Sequence, residues 1–220
     1  MNLLLKFSGL YDDELFHNGT VLDFRELDGT NSYCSPDARR AILEALEPYE
    51  TEGIHWIDGG DYHYVSEIFL SRLQEPFALV LFDNHSDEQE SAFGANILSC
   101  GNWVAEVRRS NAFLREFRRN LPEPAIPAGI PVYISLDIDV LSEDYARTDW
   151  DQGSMTLPEL ENALRGLIAG HRILGIDICG GISIAQGASG TDIGINLALR
   201  TKLLGILSSA FDRGPGTDTL

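Results

Sequence analysis

The chain has 220 residues, with 16 Lys and Arg against 34 Asp and Glu, a formal net charge of −18 at pH 7 and 44% hydrophobic residues. That is ordinary globular usage, enough to bury the core of a single domain over residues 1–220. The charge repels nucleic-acid phosphates and anionic lipid, and no stretch approaches the roughly 20 apolar residues of a membrane span, so neither nucleic acid nor membrane is an expected partner.

In chain order, Met1-Asn2-Leu3-Leu4-Leu5-Lys6-Phe7 holds too short an apolar run for a signal peptide. Cytoplasm is the expected compartment, and Leu3 to Phe7 the first strand. Ser35 before Pro36 and Asp37 marks a helix start, with a capping hydroxyl, a proline in the first turn and an early carboxylate. Gly53 to Ile57, Phe77 to Phe82, Val132 to Leu136 and Ile173 to Ile178 read as further strands, several of them almost wholly apolar, as strands buried on both faces are. The basic cluster of Arg108, Arg109, Arg115, Arg118 and Arg119 reads as a solvated helix face. Thr156 and Glu159 have capping-box spacing ahead of Leu160, Ala163, Leu164 and Leu167, which recur at helical period. Asn196 to Leu207 reads as a last amphipathic helix, followed by a frayed tail from Gly214. Strands alternating with helices predict an α/β fold whose parallel sheet is covered by helices. Cys34, Cys100 and Cys179 have no CxxC spacing, which argues against a disulfide framework or a zinc knuckle; Cys34 and Cys179 read as buried thiols.

Chemistry concentrates where strands end. Phe77 to Phe82 runs directly into Asp83-Asn84-His85-Ser86-Asp87, and in an extended chain Asp83, His85 and Asp87 share one face just past the carboxyl end of the strand. Open α/β sheets bind their ligands there. Val132 to Leu136 repeats the pattern with Asp137-Ile138-Asp139. Two acidic strand ends in one sheet can converge, and crowded carboxylates repel unless cations hold them together. A third segment, Ile57-Asp58-Gly59-Gly60-Asp61-Tyr62-His63-Tyr64, places glycines after a strand and a histidine at the mouth of the next helix.

The order Gly-Gly-Asp with a nearby His, then Asp-x-His-x-Asp, then Ser-x-Asp-x-Asp at Ser135 to Asp139, resembles the arginase, agmatinase and formiminoglutamase family, the ureohydrolases, over roughly residues 54 to 200. The resemblance implies a three-layer α/β/α domain around an eight-stranded, mostly parallel sheet. It implies two Mn²⁺ ions per chain, bridged by Asp83 and Asp137, with His63 and Asp87 completing one site and His85 and Asp139 the other. Oxygen-rich donors with a few imidazoles suit manganese, with iron, zinc or nickel as alternatives. A metal pair about 3.5–4 Å apart can hold a shared water, lower its pKa and aim it at a trigonal carbon. The implied reaction is hydrolysis of a C–N bond in a guanidine, amidine or amide. Asp139 is then the residue that orients the attacking water, with Ser135 supporting the ligands. Homo-oligomers, trimers or hexamers, are expected from the resemblance alone.

Three departures from the family bear on metal and substrate. His63 stands one place beyond the family's usual histidine, where this chain has Tyr62. Gly180 occupies the position of the carboxylate that anchors a guanidinium, so substrate binding is expected from Asn96, Asp149, Trp150 and Asp151, with Glu88 a further carboxylate. Cys100 replaces a proton-shuttle histidine, making Cys100, water or His55 the candidates for proton delivery. The chain is shorter than typical members, which implies trimmed loops and a cleft admitting a peptide-borne guanidine or bulky amide. Two alternatives stand beside a ureohydrolase: a non-catalytic ligand- or partner-binding protein of the same fold, and a deacetylase-like amide hydrolase.

Overall fold

A computed structural model describes residues 2–11, 19–91, 97–120 and 126–211. Nine strands and five α-helices run through them in the order β1 (Asn2–Lys6), β2 (Thr20–Asp23), β3 (Tyr33–Cys34), α1 (Pro36–Leu46), β4 (Ile54–Ile57), α2 (Val65–Leu70), β5 (Phe77–Phe82), β6 (Leu98–Ser99), α3 (Trp103–Ser110), β7 (Leu114–Arg119), β8 (Val132–Asp137), α4 (Leu157–Gly170), β9 (Ile173–Cys179) and α5 (Gly190–Leu207). Seven strands form one sheet in the order β2-β1-β4-β9-β8-β5-β7, and every neighbouring pair is parallel. The resemblance implied eight. The small antiparallel pair β3 and β6 stands apart.

Alternation along the central strands explains the three layers. In β5, Ala78, Val80 and Phe82 join the core under α4 and α5, while Phe77, Leu79 and Leu81 join the core under α1, α2 and α3. All six residues are fully buried, which is why β5 reads as a continuous apolar run. The helix caps expected from sequence are in place: Ser35 accepts from the Ala38 amide, and Thr156 and Glu159 close a reciprocal capping box on α4.

Two expectations need correction. Arg108 and Arg109 lie on α3, but Arg115, Arg118 and Arg119 lie on the edge strand β7, whose sequence Leu-Arg-Glu-Phe-Arg-Arg is half-solvated because only one neighbour covers it. Charged side chains on an edge strand also discourage pairing with another chain. The last helix begins at Gly190 rather than Asn196, since Ser189 and Asp192 form a capping box about two turns earlier. The tail from Gly214 lies outside the described residues. No described helix is long and apolar enough to cross a membrane.

Candidate metal centre

The sheet order brings β4, β9, β8 and β5 side by side, so the segments leaving their carboxyl ends face one another. Register Phe82↔Leu136 sets Asp83 beside Asp137, and Asp137 pairs with Cys179 on β9. His63 enters from the short 3-10 turn Gly60–Tyr62 after β4. The six residues His63, Asp83, His85, Asp87, Asp137 and Asp139 thus share one place. All except the half-buried His85 are buried.

The leading aspartates bend their own loops. Asp83 Oδ1 accepts from the His85 amide at 2.5 Å and Asp137 Oδ1 from the Asp139 amide at 2.9 Å, an aspartate turn in each case. The second oxygens turn inward: His63 Nδ1 lies 3.2 Å from Asp83 Oδ2, 3.2 Å from Asp87 Oδ2 and 3.8 Å from Asp137 Oδ2. His85 Nδ1 lies 2.8 Å from Asp139 Oδ2 and 3.5 Å from Asp83 Oδ1. The extended geometry assumed from sequence is therefore replaced by turns. Asp87 itself sits at φ 50°, a left-handed conformation that aspartate tolerates better than most residues. Its carboxylate is held by the Trp103 indole at 2.6 Å, and its carbonyl accepts from the Val104 amide at the start of α3.

Behind His63 runs a buried chain that sequence reading largely missed. His63 Nε2 lies 2.9 Å from Ser135 Oγ, and Ser135 Oγ donates to Asp177 Oδ1 at 2.6 Å. Burial, opposed by the nearby His63 and by hydroxyl hydrogen bonds, pushes Asp177 up to about 6, so it is ionised at neutral pH and accepts the hydrogen bond of the Ser135 hydroxyl. Ser135 then accepts from Nε2–H; Nδ1 faces the carboxylates as a donor in the metal-free protein, and losing that proton would free its lone pair for a cation. The signal for Asp177 was a carboxylate inside the apolar strand Ile173 to Cys179. Asn120, whose side chain accepts from the Asp83 amide at 2.9 Å, carried none.

The electrostatics call for cations. Burial, then the charges of Asp137 and Asp83, push Asp139 up to about 9; burial, then Asp83, push Asp137 up to about 6. Asp83 goes the other way, because its close contacts with the His63 and His85 imidazoles and the hydrogen bond from the His85 amide outweigh its burial. Burial disfavours charge on His63, but the Cys179 sulfur and the carboxylates of Asp83 and Asp87 more than offset it. Protons thus occupy places that cations would take. Asp83 Oδ2 is buried without any partner of hydrogen-bonding geometry. Donor atoms of His63, Asp83 and Asp87 lie within 4.8 Å of one another, as do those of Asp83, His85 and Asp139, and those of His63, Asp137 and Cys179. The residues fit a pair of divalent ions.

The centre floors an open cavity of about 300 Å³, walled by Ser32, Tyr33, Gln89, Ser99, Cys100 and Trp150. Trp150 and Tyr33 are about 40% exposed, and the Trp150 ring stands edge-on to His85 with centroids 5.6 Å apart. Cys100 lines the cavity, but burial, followed by the charges of Asp87 and Asp61, pushes its thiol up to about 11 and keeps it protonated at neutral pH. Asp149 and Asp151 lie outside this lining: Asp149 accepts from Gln186, and the Asp151 carbonyl accepts from Asn84 at 2.9 Å. Glu88 pairs with Arg108, and His55 is buried within the sheet, stacked on Phe69. Asn96 lies outside the described residues. Sequence reading missed Ser32, Tyr33, Gln89 and Ser99, which the β3–β6 pair and the loops beside it bring to the cavity from outside the motifs.

No model of a protein family matches the chain. A protein of Thermotoga maritima described as uncharacterized is 27% identical over 197 residues, covering 80% of this chain and 78% of its own. Similar solved structures include a putative agmatinase from Clostridium difficile, with TM-score 0.61 and 13% identity over 96% of this chain and 97% of that one. Arginase from Medicago truncatula matches at TM-score 0.60 and 15% identity, over 91% and 84%. Proclavaminate amidino hydrolase from Streptomyces clavuligerus matches at TM-score 0.56 and 18% identity, over 79% and 70%. The chain has the three-layer fold of the ureohydrolases, as the three motifs implied.

Proposed function

We propose that the chain is a metal-dependent hydrolase of the ureohydrolase class that cleaves a C–N bond in a guanidino, amidino or amide substrate. The observation that carries this reading is the convergence of His63, Asp83, His85, Asp87, Asp137 and Asp139 from three strand ends on the floor of an open cavity. Asp83 stands between the two imidazoles, with Asp87 and Asp137 on the His63 side and Asp139 on the His85 side, so these residues would hold two divalent ions, manganese by donor chemistry. When bound, such a pair supplies Lewis acidity, lowers the pKa of water and neutralises the formal four negative charges of the aspartates.

The protein's own groups then position the reaction. Asp139 holds His85 at 2.8 Å and keeps its carboxylate at the cavity floor, where it orients the attacking water. Trp150 walls the substrate side and offers an aromatic face to a planar or cationic group. Cys100, a neutral thiol, serves as wall rather than proton carrier, which leaves proton delivery to water.

Metal analysis of purified protein together with a hydrolysis screen tests the reading. The expected result is two ions per chain and turnover of at least one guanidine, amidine or acyl amide, abolished in Asp83→Ala and Asp137→Ala. A protein that takes up no metal after manganese loading would sink it. Two bound ions with no turnover of any class would favour a ligand-binding protein on this fold.

A further inference from the structure

The His63 side of the centre carries a sulfur as well as nitrogen and oxygen. Cys179 is fully buried at the end of β9, directly beside Asp137 in the sheet register, and its Sγ lies 3.1 Å from Asp137 Oδ2. Sγ, the facing nitrogen of His63 and the Asp137 carboxylate lie within 4.8 Å of one another, close enough for one ion to touch all three. Beside these three donors, the buried Asp83 Oδ2 lies 3.2 Å from His63 Nδ1 but makes no hydrogen bond, and so adds an oxygen on the His63 side. The His85 side, made by Asp83, His85 and Asp139, has no sulfur in its donor set.

We propose that Cys179 is a thiolate ligand of the ion held by His63 and Asp137, which makes the two halves of the centre chemically unequal. The inference rests on the metal-centre reading above. Ligation exchanges the Sγ–H bond for a bond to the ion and releases one proton to solvent. Thiolate favours softer divalent ions, so the His63 half prefers zinc, iron or cobalt, while the oxygen-rich His85 half accepts manganese.

Cobalt(II) titration of the full chain tests this without any substrate. Wild-type protein is expected to bind two cobalt ions and to show a near-ultraviolet sulfur-to-cobalt charge-transfer band that saturates at the first. Cys179→Ser and Cys179→Ala should lose that band and keep the weaker visible absorption of nitrogen- and oxygen-bound cobalt, whereas Cys100→Ser keeps both. In metal competition, Cys179→Ser should lower the preference for zinc over manganese by about 10–100-fold, the scale seen when even a supporting partner of a ligand is removed. A measurement independent of any change at Cys179 is zinc-edge X-ray absorption of the Cys34→Ser, Cys100→Ser protein, expected to contain a sulfur shell at about 2.3 Å. Two bound ions with only nitrogen and oxygen shells, or a charge-transfer band persisting in both Cys179 variants, overturns the thiolate while leaving the metal centre standing. Failure to bind any ion overturns both.

Discussion

At Gly180 the lack of a side chain is a requirement of the clustered aspartates beside it. Its φ is +95°, and a Cβ there would lie 2.4 Å from Asp137 Oδ1 and 3.0 Å from Ile138 Cγ1. The backbone after β9 therefore cannot carry the guanidinium-anchoring carboxylate that the resemblance implies without displacing a residue of the candidate metal centre. Gly180→Ala should cost about 1–3 kcal/mol in stability from the strained backbone. It should weaken metal affinity further, because the Asp137 carboxylate must move; thermal melts with calorimetric metal titration separate the two effects. Residue identity was readable for the six clustered side chains because each sits in a short motif at a strand end. Asp177 and Cys179 were not readable as part of the site, since their importance lies in what β8 and β4 place beside them.

Elements were legible in proportion to their burial. The five strands expected from apolar runs all exist, whereas β2 and β7, the two edges of the seven-stranded sheet, were missed because they are half-exposed and carry Asp23 or several arginines. An edge strand needs only one apolar face, so its pattern fades into that of a loop or a solvated helix. Caps were more reliable, because a capping box is complete within four residues. Thr156→Ala should cost about 0.5–2 kcal/mol by removing the hydroxyl that accepts from the Glu159 amide at the start of α4. The expected readout is a lower denaturation midpoint with an unchanged slope and unchanged metal affinity, since this cap is exposed and belongs to none of the donor groups. A loss of metal binding would instead tie α4 to the centre.

For the molecule as a whole, the crowded carboxylates make stability depend on pH when metal is stripped. Asp139 is pushed up to about 9, first by burial, and His85 up to about 9, first by its hydrogen bond with Asp83. Both folded values lie above the unfolded ones of 3.8 and 6.5, so the stability they contribute is complete below those values and is lost as pH rises through 9. The opposing groups titrate lower: His55, lowered by burial to about 3, contributes stability that is lost only below 6.5, and Asp23, lowered by Arg25 to about 2, acts in stronger acid. The metal-free protein should therefore melt at a lower temperature at pH 9 than at pH 6.5, each lost kcal/mol being about 2–4 °C for a chain of this size. Saturating divalent ions should remove the difference, and an equal or higher melting point at pH 9 without metal would contradict the charge crowding. The amino-acid order alone was enough for the fold class, most helix starts and the identity of the acidic strand ends, because periodicity, caps and aspartate turns are interactions among near neighbours. Folding was needed to say which strand ends meet, which carboxylate oxygens turn inward, and that Asp177 and Cys179 stand beside His63 and Asp137, because those relations depend on register between strands separated by many tens of residues.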